Sequence, residues 1–459
     1  MCRTVIGDAE MNVTVQDMME ARERRAEKQS ALLARFGQTL LCFTMNIPGP
    51  EKDSPLIRMG FALGKRMVRL GLLRLGAAPL HQEETASFTG CEAYYVLPLP
   101  PAEAKRMTAD IEEASPVGRL FDLDVIRADG SKVERGEIGL PGRKCLICGE
   151  DARACARSRA HTVDELRART DSILLEAVRA DKAETIARCA CQALLFEALI
   201  TPKPGLVDRM NNGSHRDMDV FTFAASASAL YPYFAECARA GDIMADESPS
   251  AVFDRIRLCG RMAEGKMLDA TRGVNTHRGA VFSLGMLSAA AGYLGPEDWQ
   301  ADRLLYLCAR MAAGLTENDF RGLTAETART SGQRLYLDHG ITGVRGEAEQ
   351  GYPLVRNYGF PRFKEALAAG KSVNDAGCAA LIAIMARNTD TNVIHRSSVQ
   401  RQERLKDEAA RMIEGDPYPS PEMLEELDRE LIRENISPGG SADLLAMCCM
   451  LHELEENRL

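Results

Sequence analysis

The sequence predicts a chain in two parts, an α+β domain followed by an all-α, multi-helix domain. Three observations carry that expectation. Runs with strand character, Leu40–Thr44, Cys91–Leu97 and Phe121–Ile126, are confined to the first third. Beyond Thr162, apolar residues recur at helical spacing and no period-two alternation takes over. The 459 residues suffice for two or three domains, each burying its own core.

In order, Thr14–Phe36 reads as a charged amphipathic helix and Leu40–Thr44 as a buried strand. The strand runs into Met45-Asn-Ile-Pro-Gly-Pro-Glu-Lys52, a loop stiffened by two prolines that offers Asn46 and Lys52. A second helix covers Pro55–Leu75, and Cys91–Leu97 is a further strand, rich in aromatic and branched residues. In Arg119-Leu-Phe-Asp-Leu-Asp-Val-Ile126, strand geometry puts Phe121, Leu123 and Val125 on one face and Asp122 and Asp124 on the other. Two carboxylates side by side repel unless a cation lies between them. A hard ion such as Mg²⁺ takes such an oxygen pair and brings phosphate oxygens with it. Ala128–Ser131 then turns the chain into an expected hairpin partner, Lys132–Glu137.

Cys145-x-x-Cys148 with Cys155 and His161 offers a Cys₃His zinc set. A lone C-x-x-C lacks the second pair of a zinc ribbon, which makes zinc the lesser reading. Arg143, Arg153, Arg157 and Arg159 favour phosphate recognition, since planar guanidinium forks suit phosphate oxygens. From Thr162 to Asp181 the pattern is charged and helical, with no Pro- or Gly-rich linker. The expected domains are therefore 12–175 and 183–459.

The second half is organised around Thr201–Asp219. Pro202 and Pro204 end the helix Ala183–Ile200 and hold Lys203 on a stiff strut, and Glu197 lies just upstream. Ser214 followed by Asp217 has the form of a helix start. Helices are expected over Val220–Gly241, Pro249–Ala270, Arg278–Leu294, Ala301–Gly314, Val373–Asn388, Val399–Ile413 and Pro421–Asn435. Polar residues collect where helices begin or end. These segments are Gly273–Gly279, with Asn275 or Thr276 as cap; Asp338–Glu347, opening an irregular stretch to Phe360; Ser372–Asp375; Asp390–Arg396; and Ser437–Asp443. Helix N-termini carry free N–H groups and partial positive charge, so several converging on one pocket would bind a polyphosphate. His215, His277, His339 and His395 all fall in these segments. Zinc is disfavoured there, because none has the H-E-x-x-H spacing.

A net charge of −9 argues against non-specific nucleic-acid binding, though not against local basic pockets for small anions, and 5% aromatic content argues against base-stacking platforms. Met1–Gln16 lacks the basic start and apolar core of a signal peptide, and Gly279–Gly295 is too short and glycine-broken to span a bilayer. Fourteen scattered cysteines suggest a reducing compartment, so a cytoplasmic protein is expected.

Over about residues 15 to 170, Met45–Lys52, Gly118–Asp124, Arg143–Cys148 and Cys155–His161 resemble the holo-acyl-carrier-protein synthase family of citrate lyase, usually called CitX. The resemblance implies a nucleotidyltransferase-like domain that transfers a nucleotidyl group to a serine of the apo acyl carrier protein, the γ subunit of citrate lyase, with pyrophosphate leaving. Asp122 and Asp124 would be its metal-holding, catalytic acids, with Asn46, Lys52, Arg119, Arg157 and Arg159 binding substrate. Over about 183 to 455, Thr201–Asp208, Gly213–Met218, Gly273–Gly279, Gly343–Glu347, Asp390–Asn392 and Ser437–Leu444 occur in one order and resemble the triphosphoribosyl-dephospho-CoA synthase family, usually called CitG. That family makes the prosthetic-group precursor from ATP and 3′-dephospho-CoA, releasing adenine. Here the expected catalytic groups are Glu197, Asp217 and Glu347, as base or ion stabiliser. Asp217, Asp375 and Asp390 would hold Mg²⁺, and Lys203, His215, Asn275, His277, Arg278, Arg345, Asn392, Arg396 and Ser441 would bind substrate. Arg278 stands where lysine is common in the family. The rival reading is a Mg²⁺-dependent nucleotide hydrolase with a zinc-stabilised interaction module in its first half.

Overall fold

The computed structural model describes residues 12–458 and divides between Ala180 and Asp181 into two compact units. The first eleven residues of the Met1–Gln16 window lie outside the described residues.

The first unit is a four-stranded antiparallel sheet with helices on its faces. The strands are β1 (Thr39–Met45), β2 (His81–Ser87), β3 (Gly90–Leu97) and β4 (Phe121–Ile126), in the order β2-β3-β1-β4. Leu41 and Phe43 of β1 join Phe121, Leu123 and Val125 of β4 in a core with helices α2 (Pro55–Arg74) and α3 (Pro101–Glu113). Leu40 and Cys42 pack on the opposite face with Leu32 of α1 (Val15–Phe36). Thr14 and Asp17 form a capping box at the start of α1, and Ser54 caps α2. Gly64 lets α2 lie close on the sheet, because a Cβ there would sit 2.3 Å from the Phe43 ring. Strand β2 was not expected. Its sequence, His-Gln-Glu-Glu-Thr-Ala-Ser, is polar because it is an edge strand with one partner and largely solvated side chains. The expected hairpin partner of β4 is corrected: only Lys132 bridges Ile126, and Arg135–Ile138 is a 3₁₀ turn tied to Glu112 and Glu113 through Arg135.

Helices α4 (Ala152–Ser158) and α5 (Val163–Leu199) follow, and α5 begins in the first unit and ends in the second. The described residues beyond it hold helices alone. These are α6 (Val220–Ile243), α7 (Pro249–Ala270), α8 (Arg278–Tyr293), α9 (Ala301–Met311), α10 (Leu315–Phe320), α11 (Ser331–His339) and α12 (Val344–Glu349). After a π-turn at Val355–Gly359 come α13 (Phe360–Ala368), α14 (Val373–Met385), α15 (Thr391–Arg396), α16 (Val399–Met412), α17 (Pro421–Arg433) and α18 (Gly439–Glu456). The middle turns of helices α8, α14 and α18 are almost wholly apolar on every side and lie in the middle of the core, as such sequences require. Helices α6 and α8 approach backbone to backbone: a Cβ on Gly241 or Gly292 would stand 2.0 Å from a carbonyl of the other helix. At the periphery, buried Arg401 of α16 pairs with Glu408 of its own helix at 2.9 Å and reaches Glu430 of α17 and Glu434 at its end at 3.0 and 2.5 Å. No helix of the described residues is long and apolar enough to cross a membrane.

Two expected starts moved. Helix α6 is capped by Asp219, in a capping box with Thr222, whereas the Ser214 hydroxyl donates to the carbonyls of Leu431 and Ile436. Helix α8 begins after His277, without a side-chain cap from Asn275 or Thr276. The expected irregular stretch to Phe360 contains α12 and the π-turn.

Candidate functional site

In the second unit the loop segments meet around a cavity of about 1080 Å³. This is just above the usual size for a small-molecule site, roughly 300–1,000 Å³, and offers room for more than one ligand. The first turns of α8, α12, α15 and α18 all contribute to its wall, through Gly279, Arg345, Asn392 and Gly440 among others. The convergence of helix starts expected from sequence is therefore present. Arg278, Arg345, Arg396 and, unexpectedly, Arg257, Arg261 and Arg387 supply positive charge along the lining.

The acids differ in their surroundings. Glu347 lines the cavity with no cationic partner among the described residues, where its Oε2 accepts only the Leu354 N–H, at 3.3 Å. Burial pushes its carboxyl up to about 7. Asp390 is 2% exposed, caps α15 by accepting from the Asn392 N–H at 2.9 Å, and accepts from the N–H and hydroxyl of Ser441 at 2.8 and 3.0 Å. Burial still raises it above the usual carboxylate range. Asp443, which sequence reasoning quoted in a motif without assigning it a role, also lines the cavity. Burial first, then the charges of Glu197 and Asp390, push Asp443 well up. The glycine at 279 fits that crowding, since a Cβ there would fall 1.9 Å from Asp443 Oδ2.

Lys203 is not at the cavity wall. It is 1% exposed, and its ammonium donates to Glu197, itself 3% exposed and lining the cavity. The proline-braced strut serves an internal ion pair. Removing one member of such a pair leaves a buried charge, at a cost of about 3–5 kcal/mol. Lys203→Met is accordingly expected to destabilise the second unit by about that much, with the Glu197→Gln/Lys203→Met double variant regaining most of it in urea unfolding.

His277 is buried, its Nδ1 lies 2.7 Å from the Ser226 hydroxyl, and its Nε2 has no hydrogen-bond partner among the described residues. Burial, then the charge of Lys203, push it down to about 3, so it is neutral at physiological pH. His215 lies 2.9 Å from Ser437 Oγ and 3.4 Å from Arg396, and burial and that arginine lower it too. Asn275, Asp217 and Asn392 line the cavity, while Ser441 lies just behind as a partner of Asp390 and Asn388. Arg278 and Arg345 hold Glu264 and Asp319 at 3.2 and 2.8 Å. Asp375 is exposed at the start of α14 and does not line the cavity. His339 and His395 do not line it either.

In the first unit, β4 has the alternation expected: Phe121, Leu123 and Val125 are buried, with Asp122 exposed and Asp124 half-buried. Asp122 pairs with Thr44 and Asp124 with Cys42 across β1. Lys132 Nζ sits 2.5 Å from Asp124 Oδ2. Loss of surrounding water, then the Asp124 charge, raise Asp122. The loop after β1 leaves Asn46 exposed, while Lys52 is lowered by burial and by the charges of Arg167 and Arg22. Arg119 donates to the Lys144 carbonyl, and Arg157 and Arg159 are exposed. The Cys₃His set is assembled: Cys145, Cys148, Cys155 and His161 offer ligand atoms all within 4.8 Å of one another.

Comparison with known proteins matches residues 183–459 to the CitG family, described as ATP:dephospho-CoA triphosphoribosyl transferase. Residues 13–177 match the CitX family, apo-citrate lyase phosphoribosyl-dephospho-CoA transferase. A protein CitXG of Haemophilus influenzae is 35% identical over 448 residues, covering 95% of both chains. A protein CitXG of Leuconostoc mesenteroides subsp. cremoris is 31% identical over 464 residues, covering 96% of this chain and 97% of that one. The 2-(5''-triphosphoribosyl)-3'-dephosphocoenzyme-A synthase of Pectobacterium atrosepticum is 41% identical over 262 residues, 57% of this chain and 86% of that one.

Proposed function

Because the chain belongs to the CitXG family, we infer that its two halves carry the two activities those names describe. It is a bifunctional transferase that makes and attaches the prosthetic group of citrate lyase. Residues 183–459 convert ATP and 3′-dephospho-CoA to 2′-(5″-triphosphoribosyl)-3′-dephospho-CoA and adenine. Residues 12–175 transfer that product to a serine of the apo acyl carrier protein of citrate lyase, with release of pyrophosphate. The observation that carries the first assignment is the cavity itself, which combines four helix starts, a set of arginines and an uncompensated acid.

In the synthase step the 2′-hydroxyl oxygen of dephospho-CoA bonds to C1′ of the ATP ribose as the bond from C1′ to adenine breaks. Glu347 accepts the hydroxyl proton, and adenine leaves after taking up a proton from solvent. Arg345, Arg396 and the helix N-termini hold the triphosphate, which stays intact through the step. Neutral His277 contributes a ring nitrogen for a ligand hydrogen bond. Besides burial, the charges of Glu197 and Asp390 raise the proton affinity of Asp443, and all three carboxylates are oxygen donors, so they fit Mg²⁺. Mg²⁺ bound there would supply charge neutralisation for the phosphates.

For the transferase half, we read the sheet with Asp122 and Asp124 on β4 as nucleotidyltransferase-like. The pair fits Mg²⁺ on the same grounds of oxygen donors and mutual repulsion. The carrier serine attacks the α-phosphate in line, and pyrophosphate departs. Asn46, Lys52, Arg119, Arg157 and Arg159 are the groups available for substrate on this unit.

The test is to incubate the chain with ATP, dephospho-CoA, Mg²⁺ and apo acyl carrier protein, following free adenine and carrier mass. Adenine release that needs dephospho-CoA, together with a carrier gaining the mass of the phosphoribosyl-dephospho-CoA group, is the expected result. Adenine release indifferent to dephospho-CoA, or an unmodified carrier, overturns it, and nucleotide hydrolysis with water as acceptor would give both.

A further inference from the structure

We propose that Cys145, Cys148, Cys155 and His161 form a closed, structural zinc site that fixes the segment 143–161 at the start of β4. Their ligand atoms all lie within 4.8 Å of one another. A tetrahedral site with zinc–sulfur bonds of about 2.3 Å places its ligand atoms about 3.8 Å apart, and Cys148 Sγ and Cys155 Sγ stand at 3.4 Å. The small contraction or expansion needed lies within the reach of side-chain rotation.

The backbone is arranged for this. The N–H of Cys145 donates to the Glu150 carbonyl at 2.6 Å and that of Gly149 to the Cys145 carbonyl at 3.2 Å. Gly149 has φ +77°, a left-handed conformation that favours glycine and closes the turn carrying the first two sulfurs. Asp151 caps α4, which delivers Cys155. Arg159, at φ +51°, ends that helix and turns the chain back to His161. All three cysteines are free, and the His161 Nε2 is buried without a hydrogen-bond partner among the described residues. An orphaned ring nitrogen beside three thiols is costly unless a metal takes it.

Four protein ligands complete zinc's usual coordination and leave no open position, which marks the site as structural. What it holds is specific. Arg143 donates to the Phe121 carbonyl and pairs with buried Glu112 at 2.8 Å, while Arg119 donates to the Lys144 carbonyl. The clip therefore anchors the strand that carries Asp122 and Asp124. Its importance for carrier loading rests on the function proposed above, whereas metal occupancy does not.

The experiment uses the full chain purified without chelator. Native mass spectrometry and elemental analysis are expected to find one zinc per chain, released when a mercurial titrates the thiols. Cys148→Ser and, separately, His161→Ala lower zinc content to background. Cobalt(II) in place of zinc is expected to give thiolate charge-transfer bands with the intense d–d absorption of a four-coordinate ion. Metal-free protein that fails to take up zinc, a disulfide between Cys148 and Cys155 in its place, or full zinc content in both variants overturns the proposal. Should either variant fail to fold, the cobalt spectrum of the unaltered chain still decides between four-coordinate thiolate ligation and none.

Discussion

Replacing Glu347 with glutamine is expected to slow adenine release by about 10²- to 10⁴-fold, the usual range for losing a positioned general base. Transfer of preformed triphosphoribosyl-dephospho-CoA to the carrier should be unchanged. Among the cavity acids, Glu197 is tied to Lys203 and Asp390 to Ser441 and Asn392, whereas Glu347 accepts one long backbone hydrogen bond and forms no ion pair among the described residues. A base already neutralised by a lysine has little drive to take a proton; one desolvated and unpaired has much. Burial pushes Glu347 up to about 7, which places its proton affinity near the working pH. The sign of the pH effect follows. A base must be ionised, so kcat/KM is flat above about pH 7 and falls tenfold per pH unit below it, and Glu347→Gln removes that limb. A rate that fell on the alkaline side instead would make Glu347 an acid, and an unchanged profile in the variant would remove it from the proton path.

Nothing in the sequence around Glu347 distinguishes it from Glu197, because what separates them is the position of Lys203 in three dimensions. The strut Pro202-Lys-Pro204 was legible, but the direction of its ammonium was not: the lysine is turned inward, buried, onto Glu197 near the end of α5. The same limit explains Ser214. Its spacing to Asp217 is that of a cap, yet carbonyls from Leu431 and Ile436, more than two hundred residues away, claim the hydroxyl. Where the physics is local, the sequence suffices. The alternation over Phe121–Val125, the cap at Ser372 and the apolar middle turns of α8 each depend on neighbours within a few residues, and each is found in place. Polar β2 escaped because an edge strand needs no apolar face. The Cys₃His set was named from the sequence as the lesser reading for its segment. What brings its four ligand atoms together is the length of α4 and a left-handed arginine after it.

Asp122→Asn and Asp124→Asn are each expected to reduce carrier loading by at least about 10²-fold while leaving adenine release intact. Both substitutions keep shape and remove charge, and Asp122 is exposed, so the sheet has little reason to unfold. The side chains differ in what they meet. Lys132 already balances Asp124, whereas partial loss of water against the strand, then the like charge of Asp124, hold the exposed Asp122 above its usual range. If the pair works by gripping a divalent ion, losing either carboxylate forfeits the ion, both variants fail alike, and excess Mg²⁺ restores part of the rate. If Asp124 serves only to pin Lys132, Asp124→Asn should behave like Lys132→Met, and no concentration of Mg²⁺ will help. Pyrophosphate release measured against Mg²⁺ concentration for the three variants separates these cases. A transferase that stays fully active with both acids amidated would place its chemistry away from β4 altogether.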